Sequence, residues 1–153
     1  MTTMRPLLAL FVAMLWASTS AVAMAESSTP TIEVWKSASC ACCGKWVEHL
    51  EANGFAVTVN AASSSMLNRI KRKAGIGRTL AACHTGKIDG YVIEGHVPAS
   101  DVKRLITEKP DAIGLSVPGM PIGSPGMEQD GKTEAYDVLL VKRDGTTEIF
   151  ACH

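Results

Sequence analysis

The chain has 153 residues, and 15 Lys+Arg balance 15 Asp+Glu for a formal net charge of zero with histidine neutral. That balance excludes nucleic acid or an anionic membrane surface as the main partner, because both select a basic excess. Five cysteines is an odd number, so at least one thiol has a fate other than a disulfide, and they are sparse beside stapled scaffolds, where Cys exceeds about 8–10%.

Residues 1–25 read as a secretory signal. Arg5 forms the positive end, Leu7–Ala17 the apolar stretch, and Ala23-Met24-Ala25 the cleavage site before Glu26. The apolar run is short for a bilayer span of about 20 residues, so the expectation is export, cleavage and no membrane association afterwards. Removing the first 25 residues leaves 128, in which 14 basic residues face 15 acidic ones once Arg5 is gone. That length suits one domain, 26–153.

Glu26–Pro30 is a lead-in. Thr31–Lys36, with Ile32, Val34 and Trp35, reads as a strand, and Ser37-Ala38-Ser39 as the turn after it. From Cys43, Trp46, Val47 and Leu50 recur at helical spacing until Asn53-Gly54 stops the helix. Phe55, Val57 and Val59 alternate as a second strand. A second helix is expected over Ser65–Lys73, with Met66, Leu67 and Ile70 inward and Lys71-Arg72-Lys73 solvated at its C-terminus. Thr79–Cys83 and Gly90–Glu94 are expected as short strands joined through Thr85–Asp89. Pro98-Ala99-Ser100 opens a third helix, with Val102, Leu105 and Ile106 inward, and Glu108-Lys109-Pro110 closes it. Asp111–Gly131, rich in Pro and Gly, reads as a long functional loop displaying Met120 and Met127. Tyr136–Val141 and Thr146–Ala151 form a hairpin around Asp144-Gly145, and the chain ends on Cys152-His153.

The chemistry concentrates in Cys40-Ala41-Cys42-Cys43, which packs three thiols into four residues after the first strand. Cys40 and Cys43 have the spacing of a redox dithiol, and a helix N-terminus favours thiolate. A simple Cys40–Cys43 disulfide with Cys42 as filler is the bland alternative. Neither role uses Cys42, whereas three soft donors in one turn suit a thiophilic metal. Zinc is the weakest metal reading, because it usually takes four ligands from paired knuckles. No Gly-rich phosphate loop, Ser-His-Asp arrangement or hydrolytic carboxylate pair is present in the sequence.

The β-α-β-α-β-β-α order with cysteines after the first strand resembles the glutaredoxin-type form of the thioredoxin-like superfamily. Motif by motif the chain is similar to a smaller family, the CopG-like periplasmic copper-resistance proteins. The matching residues are Cys40-Ala41-Cys42-Cys43-Gly44 with Trp46, then Ala82-Cys83-His84-Thr85, then Asp89-Gly90-Tyr91-Val92-Ile93-Glu94-Gly95-His96-Val97-Pro98. Gly114-Leu115-Ser116-Val117-Pro118-Gly119-Met120-Pro121 and Gly123-Ser124-Pro125-Gly126-Met127-Glu128 complete the pattern. The resemblance implies an α/β, thioredoxin-like domain in the periplasm, with residues 110–153 as a loop and hairpin extension. It implies copper, held as Cu(I) by the clustered cysteines, and redox interconversion. One departure weighs against general disulfide exchange. Gly77-Arg78-Thr79-Leu80 carries no proline, where thioredoxin-like proteins place one beside the cysteine pair.

Within that architecture Cys83 ends the strand beside the cysteine turn and is the expected fourth sulfur, so the metal set is Cys40, Cys42, Cys43 and Cys83. Several ions sharing these thiolates would relieve their excess negative charge. If His84 shared a strand with Cys83 it would face the opposite side, leaving room for only one of them. His96, Met120, Met127, Cys152 and His153 are further candidate ligands, while His49 reads as solvated. The alternative function is a thiol–disulfide oxidoreductase using Cys40 and Cys43. Copper ions are the expected partners, with another periplasmic copper protein or redox partner to exchange with.

Overall fold

A computed structural model describes residues 29–153; the signal expected over residues 1–25 lies outside the described residues. Ten elements follow in chain order. They are β1 (Thr31–Lys36), α1 (Ala41–Ala52), β2 (Ala56–Ala61), α2 (Ser64–Lys73), β3 (Thr85–Ile88), β4 (Tyr91–Glu94), α3 (Ala99–Glu108), β5 (Gly114–Ser116), β6 (Asp137–Val141) and β7 (Thr147–Cys152). The strands form one mixed sheet ordered β2-β1-β3-β4-β5-β6-β7. β1 runs parallel to β2 and β4 parallel to β5, while β1–β3, β3–β4, β5–β6 and β6–β7 are antiparallel. No helix among the described residues is long and apolar enough to cross a membrane.

Side-chain periodicity assigns the faces. In β1 Ile32 and Val34 are buried between exposed Thr31 and Glu33, the alternation of a strand with one covered face. In α1 Cys43, Trp46, Val47 and Leu50 are buried, a stripe at helical spacing. Trp46, Val47 and Leu50 join Ile93, Val97, Val102, Leu105, Leu115 and Val138 in one core, so α1 and α3 cover the same face. Val92 and Val141 point the other way and pack with Ile76, partly covered by Leu80 and Ala81. Glu94 lies two residues beyond Val92 and so shares that second face, the face of α2.

Four expectations need correction, the first being that Met66, expected inward on α2, is 49% exposed. The segment Thr79–Cys83 is turn and irregular backbone, and the strand lies later, at Thr85–Ile88. Its backbone groups are taken by cross-links other than a ladder: Ser116 Oγ donates to Leu80 O and Ala82 N donates to Glu94 Oε1. Asp89-Gly90 is then the hairpin turn, both residues at positive φ (48° and 82°), the conformation that Asp-Gly favours between antiparallel strands. The expected loop Asp111–Gly131 contains β5, too short to show a period but paired on both sides. Lys71 is buried against Glu94 instead of being solvated; only Arg72 and Lys73 of that run are exposed.

Candidate metal centre

β1 delivers the chain to a turn in which Cys40 N donates to Ser37 O (3.1 Å), and α1 begins directly after. Cys40 is the N-cap residue, with no side-chain cap hydrogen bond, so its sulfur is left for other chemistry. Cys40 and Cys43 are joined as a disulfide, their Cα atoms 5.4 Å apart. Cys42 is free, and its Sγ lies 3.5 Å from Cys40 Sγ.

Cys83 and His84 arrive from the irregular segment before β3. The four sulfurs of Cys40, Cys42, Cys43 and Cys83 lie within 4.8 Å of one another. A second group, Cys83, His84 and His96, meets the same limit. Cys83 Sγ sits 3.3 Å from His84 Nδ1 and 3.2 Å from His96 Nε2. Cys83 therefore belongs to both groups. The limit of one ligand from Cys83 and His84 applied only if both lay in a strand, and neither does, so both can face the site. The stretch entering β3 is Cys83-His84, not Gly77–Leu80.

Both imidazoles are fully buried. His96 Nδ1 lies 2.8 Å from Pro125 O. A carbonyl only accepts, so Nδ1 carries the proton and Nε2 turns its lone pair toward Cys83, the arrangement that prepares a histidine for metal. His84 packs on Trp46, ring centroids 4.2 Å apart, and edge-on to His96 at 4.9 Å. Its Nε2 is the sole buried side-chain nitrogen or oxygen without a partner among the described residues, a cost native interiors rarely leave uncompensated. Burial holds His84 well below the usual imidazole range and His96 below it. Burial first, then Cys42, pushes the Cys83 thiol up to about 12. The metal-free pocket thus favours neutral imidazoles and a protonated thiol.

The Pro/Gly loop closes one side. Gly126 packs so tightly on α1 that an added Cβ would stand 2.8 Å from Cys42 O and 2.9 Å from Trp46 N, at a φ of +88°. Only glycine fits there. This contact brings Pro125 O to His96 and sets Met127 beside Cys42, Ala41 and Lys45 around a shallow cavity of about 280 Å³.

Six candidates thus converge: Cys40, Cys42, Cys43, Cys83, His84 and His96, with Met127 at their edge. The structure does not bring the others there. Met120 is 51% exposed. Cys152 is exposed on β7, and β3 to β6 stand between that strand and β1. His153 binds Asp101 of α3 (2.8 Å) and stacks on Tyr136. His49, expected in solvent, accepts from Ala99 N at the start of α3 (3.1 Å). Sequence reasoning read Lys71 as solvated and quoted Pro125 only as part of a motif, without a role. It quoted Glu94 without a role, although a carboxylate in the apolar run Tyr91-Val92-Ile93-Glu94 was itself the signal.

A family model described as a protein of unknown function, DUF411, matches residues 80–127, the stretch from the Cys83 segment to Met127. Two solved forms of a copper resistance protein, CopG, are 43% identical to this chain. Form 2 matches with a TM-score of 0.76, covering 81% of this chain and 98% of that one. Form 1 matches at 0.75, covering 80% and 96%. No curated protein matches.

Proposed function

The chain belongs to the CopG-like copper-resistance family, and on that premise we propose that it is an exported protein that binds copper as Cu(I) and cycles it with Cu(II). Cys40, Cys42, Cys43 and Cys83 supply sulfur, and His84 and His96 supply imidazole to a second ion that shares Cys83. The observation that carries this reading is the position of Cys83 in both donor groups. Soft thiolates select Cu(I). A single +1 ion on four thiolates would keep three excess negative charges, and a bridging sulfur spreads them over two ions. The signal-like region 1–25 supports export to the periplasm. The sheet order β2-β1-β3-β4, with only β3 antiparallel within it, supports a thioredoxin-like core extended by β5, β6 and β7.

The Cys40–Cys43 pair supplies the electrons. Two Cu(II) ions taking one electron each from the dithiol would give two Cu(I), one disulfide and two protons, leaving Cys42, Cys83, His84 and His96 to hold the Cu(I) formed; the reverse step would take up two protons, oxidise two Cu(I) and restore both thiols. Another periplasmic copper protein is the natural partner for delivery or removal. The disulfide at a helix N-terminus also favours a second reading, a thiol–disulfide oxidoreductase. Cu(I) titration of the reduced protein against a chelator such as bathocuproine disulfonate separates the two. Copper stoichiometry should fall in Cys42→Ser. A variant that holds as much copper as the parent sinks the cluster, and disulfide reduction by metal-free protein lacking Cys42 and Cys83 supports the oxidoreductase.

A further inference from the structure

Cys83 and His84 lie in a segment without strand or helix, yet a shared donor needs a fixed position. What fixes it is a buried polar knot on the opposite face of the sheet. Glu94, at the end of β4, is 0% exposed. Its Oε1 accepts from Ala82 N (2.7 Å) and its Oε2 from Thr85 Oγ1 (2.7 Å). Those two donors flank Cys83-His84 on either side. Lys71 reaches in from the last turn of α2, donating to Glu94 Oε1 (2.5 Å) and to Thr85 Oγ1 (2.9 Å). The ring closes, with every carboxylate oxygen and the threonine hydroxyl paired. Gly95 N donates to His84 O (3.3 Å), so the residue next to Glu94 holds the histidine's own backbone.

A buried ion pair is a poor way to gain stability, since apolar residues of similar volume often serve as well. Placing one here, across the two-residue ligand pair, calls for a different explanation. We infer that Glu94 and Lys71 are positioning residues for the metal centre: through Ala82 N and Thr85 Oγ1 the carboxylate clamps both ends of Cys83-His84 and sets the Cys83 sulfur between its two donor groups. Lys71 balances the carboxylate and holds the threonine hydroxyl in its donating orientation. This rests on the copper reading above, in which Cys83 and His84 are ligands.

The test replaces the pair by an apolar one, Lys71→Met with Glu94→Leu, which removes the clamp without leaving an unpaired charge. Cu(I) affinity is read on full-length reduced protein by competition with bathocuproine disulfonate, and melting is recorded alongside. The expected result is affinity weakened about 10- to 100-fold, the range for lost outer-shell partners, with fewer imidazole neighbours of copper in X-ray absorption. In a Cys83→Ser, His84→Ala background the same pair of changes should alter affinity no further. An unchanged affinity overturns the proposal, and so does an equal loss in both backgrounds, which would mark a purely structural knot. If Cys83→Ser with His84→Ala already binds copper like the parent, the copper reading of those ligands fails first and separately. Should the apolar pair not fold, Thr85→Val removes one arm of the clamp and is judged by the same measurements.

Discussion

Cys83 illustrates how a single side chain acquires its chemistry from its neighbours. Burial and Cys42 raise its thiol to about 12, so at neutral pH the sulfur is protonated, and in the proposed copper site a metal has to displace that proton. The sign follows directly. Raising the pH removes the competitor, and apparent Cu(I) affinity should increase by up to about tenfold per pH unit for each proton displaced. In a titration across pH 6 to 8, Cys83→Ser should lower that slope by one proton; an unaltered slope would mean copper does not reach this sulfur. The Cys40-Ala41-Cys42-Cys43 cluster was legible because its spacing is local. Cys83 was expected near the cluster as the end of a strand, and it lies within reach of those sulfurs from irregular backbone instead. Strand alternation would have set His84 away from Cys83 only in a strand, and the backbone there is not one. Pro125, which sets the tautomer of His96 from 29 positions away, left no local trace.

At the scale of elements, His49 ties α1 to α3. Its Nε2 accepts from Ala99 N in the first turn of α3, where the helix presents N–H groups without intrahelical partners. Burial is the main cause that lowers this imidazole from 6.5, opposed by the Glu128 carboxylate. A lowered histidine contributes stability that is present above the unfolded value and is lost as pH falls through the folded one. Acidification from pH 7 toward 5 should therefore lower the melting temperature, with buried His84 and His96 contributing in the same direction. The melting difference between the parent and His49→Leu should shrink over that interval; a constant difference would mean that His49 does not take up a proton there or that its bond to Ala99 adds no stability. The elements themselves were read unevenly. Thr31–Lys36 was placed to the residue because Ile32 and Val34 alternate beneath a buried face. β3 was placed early because Thr79-Leu80 has strand composition, while the residues that form the strand include Gly86 and Lys87. At Gly86 an added Cβ would stand 2.9 Å from Ile32 Cδ1, a close contact across the sheet that only the paired strand reveals.

At the scale of the molecule, the donors come from three separate places: the first turn of α1, the segment entering β3, and the β4–α3 connection, with the Pro/Gly loop braced against them. The order of strands and helices up to α3 was legible, although β3 lies later in the chain than expected. That β5, β6 and β7 continue the same sheet was not legible, because register between distant strands is a tertiary property. A ligand that binds across such separate segments should tie them together and stabilise the fold. At free Cu(I) of 100 times Kd, linkage gives about 2.7 kcal/mol, or roughly 10 °C in melting temperature for a domain of this size. The gain should appear with reduced protein. It should shrink in the Cys40–Cys43 oxidised form, because two of the four clustered sulfurs are then bonded to each other. Melting curves of both forms, with and without Cu(I) buffered by a chelator, decide the matter. Equal shifts in the two forms would show that copper binds without the Cys40 and Cys43 thiolates, and would separate the redox pair from the metal site. A shift confined to the reduced form would instead couple copper release to disulfide formation in one cooperative unit.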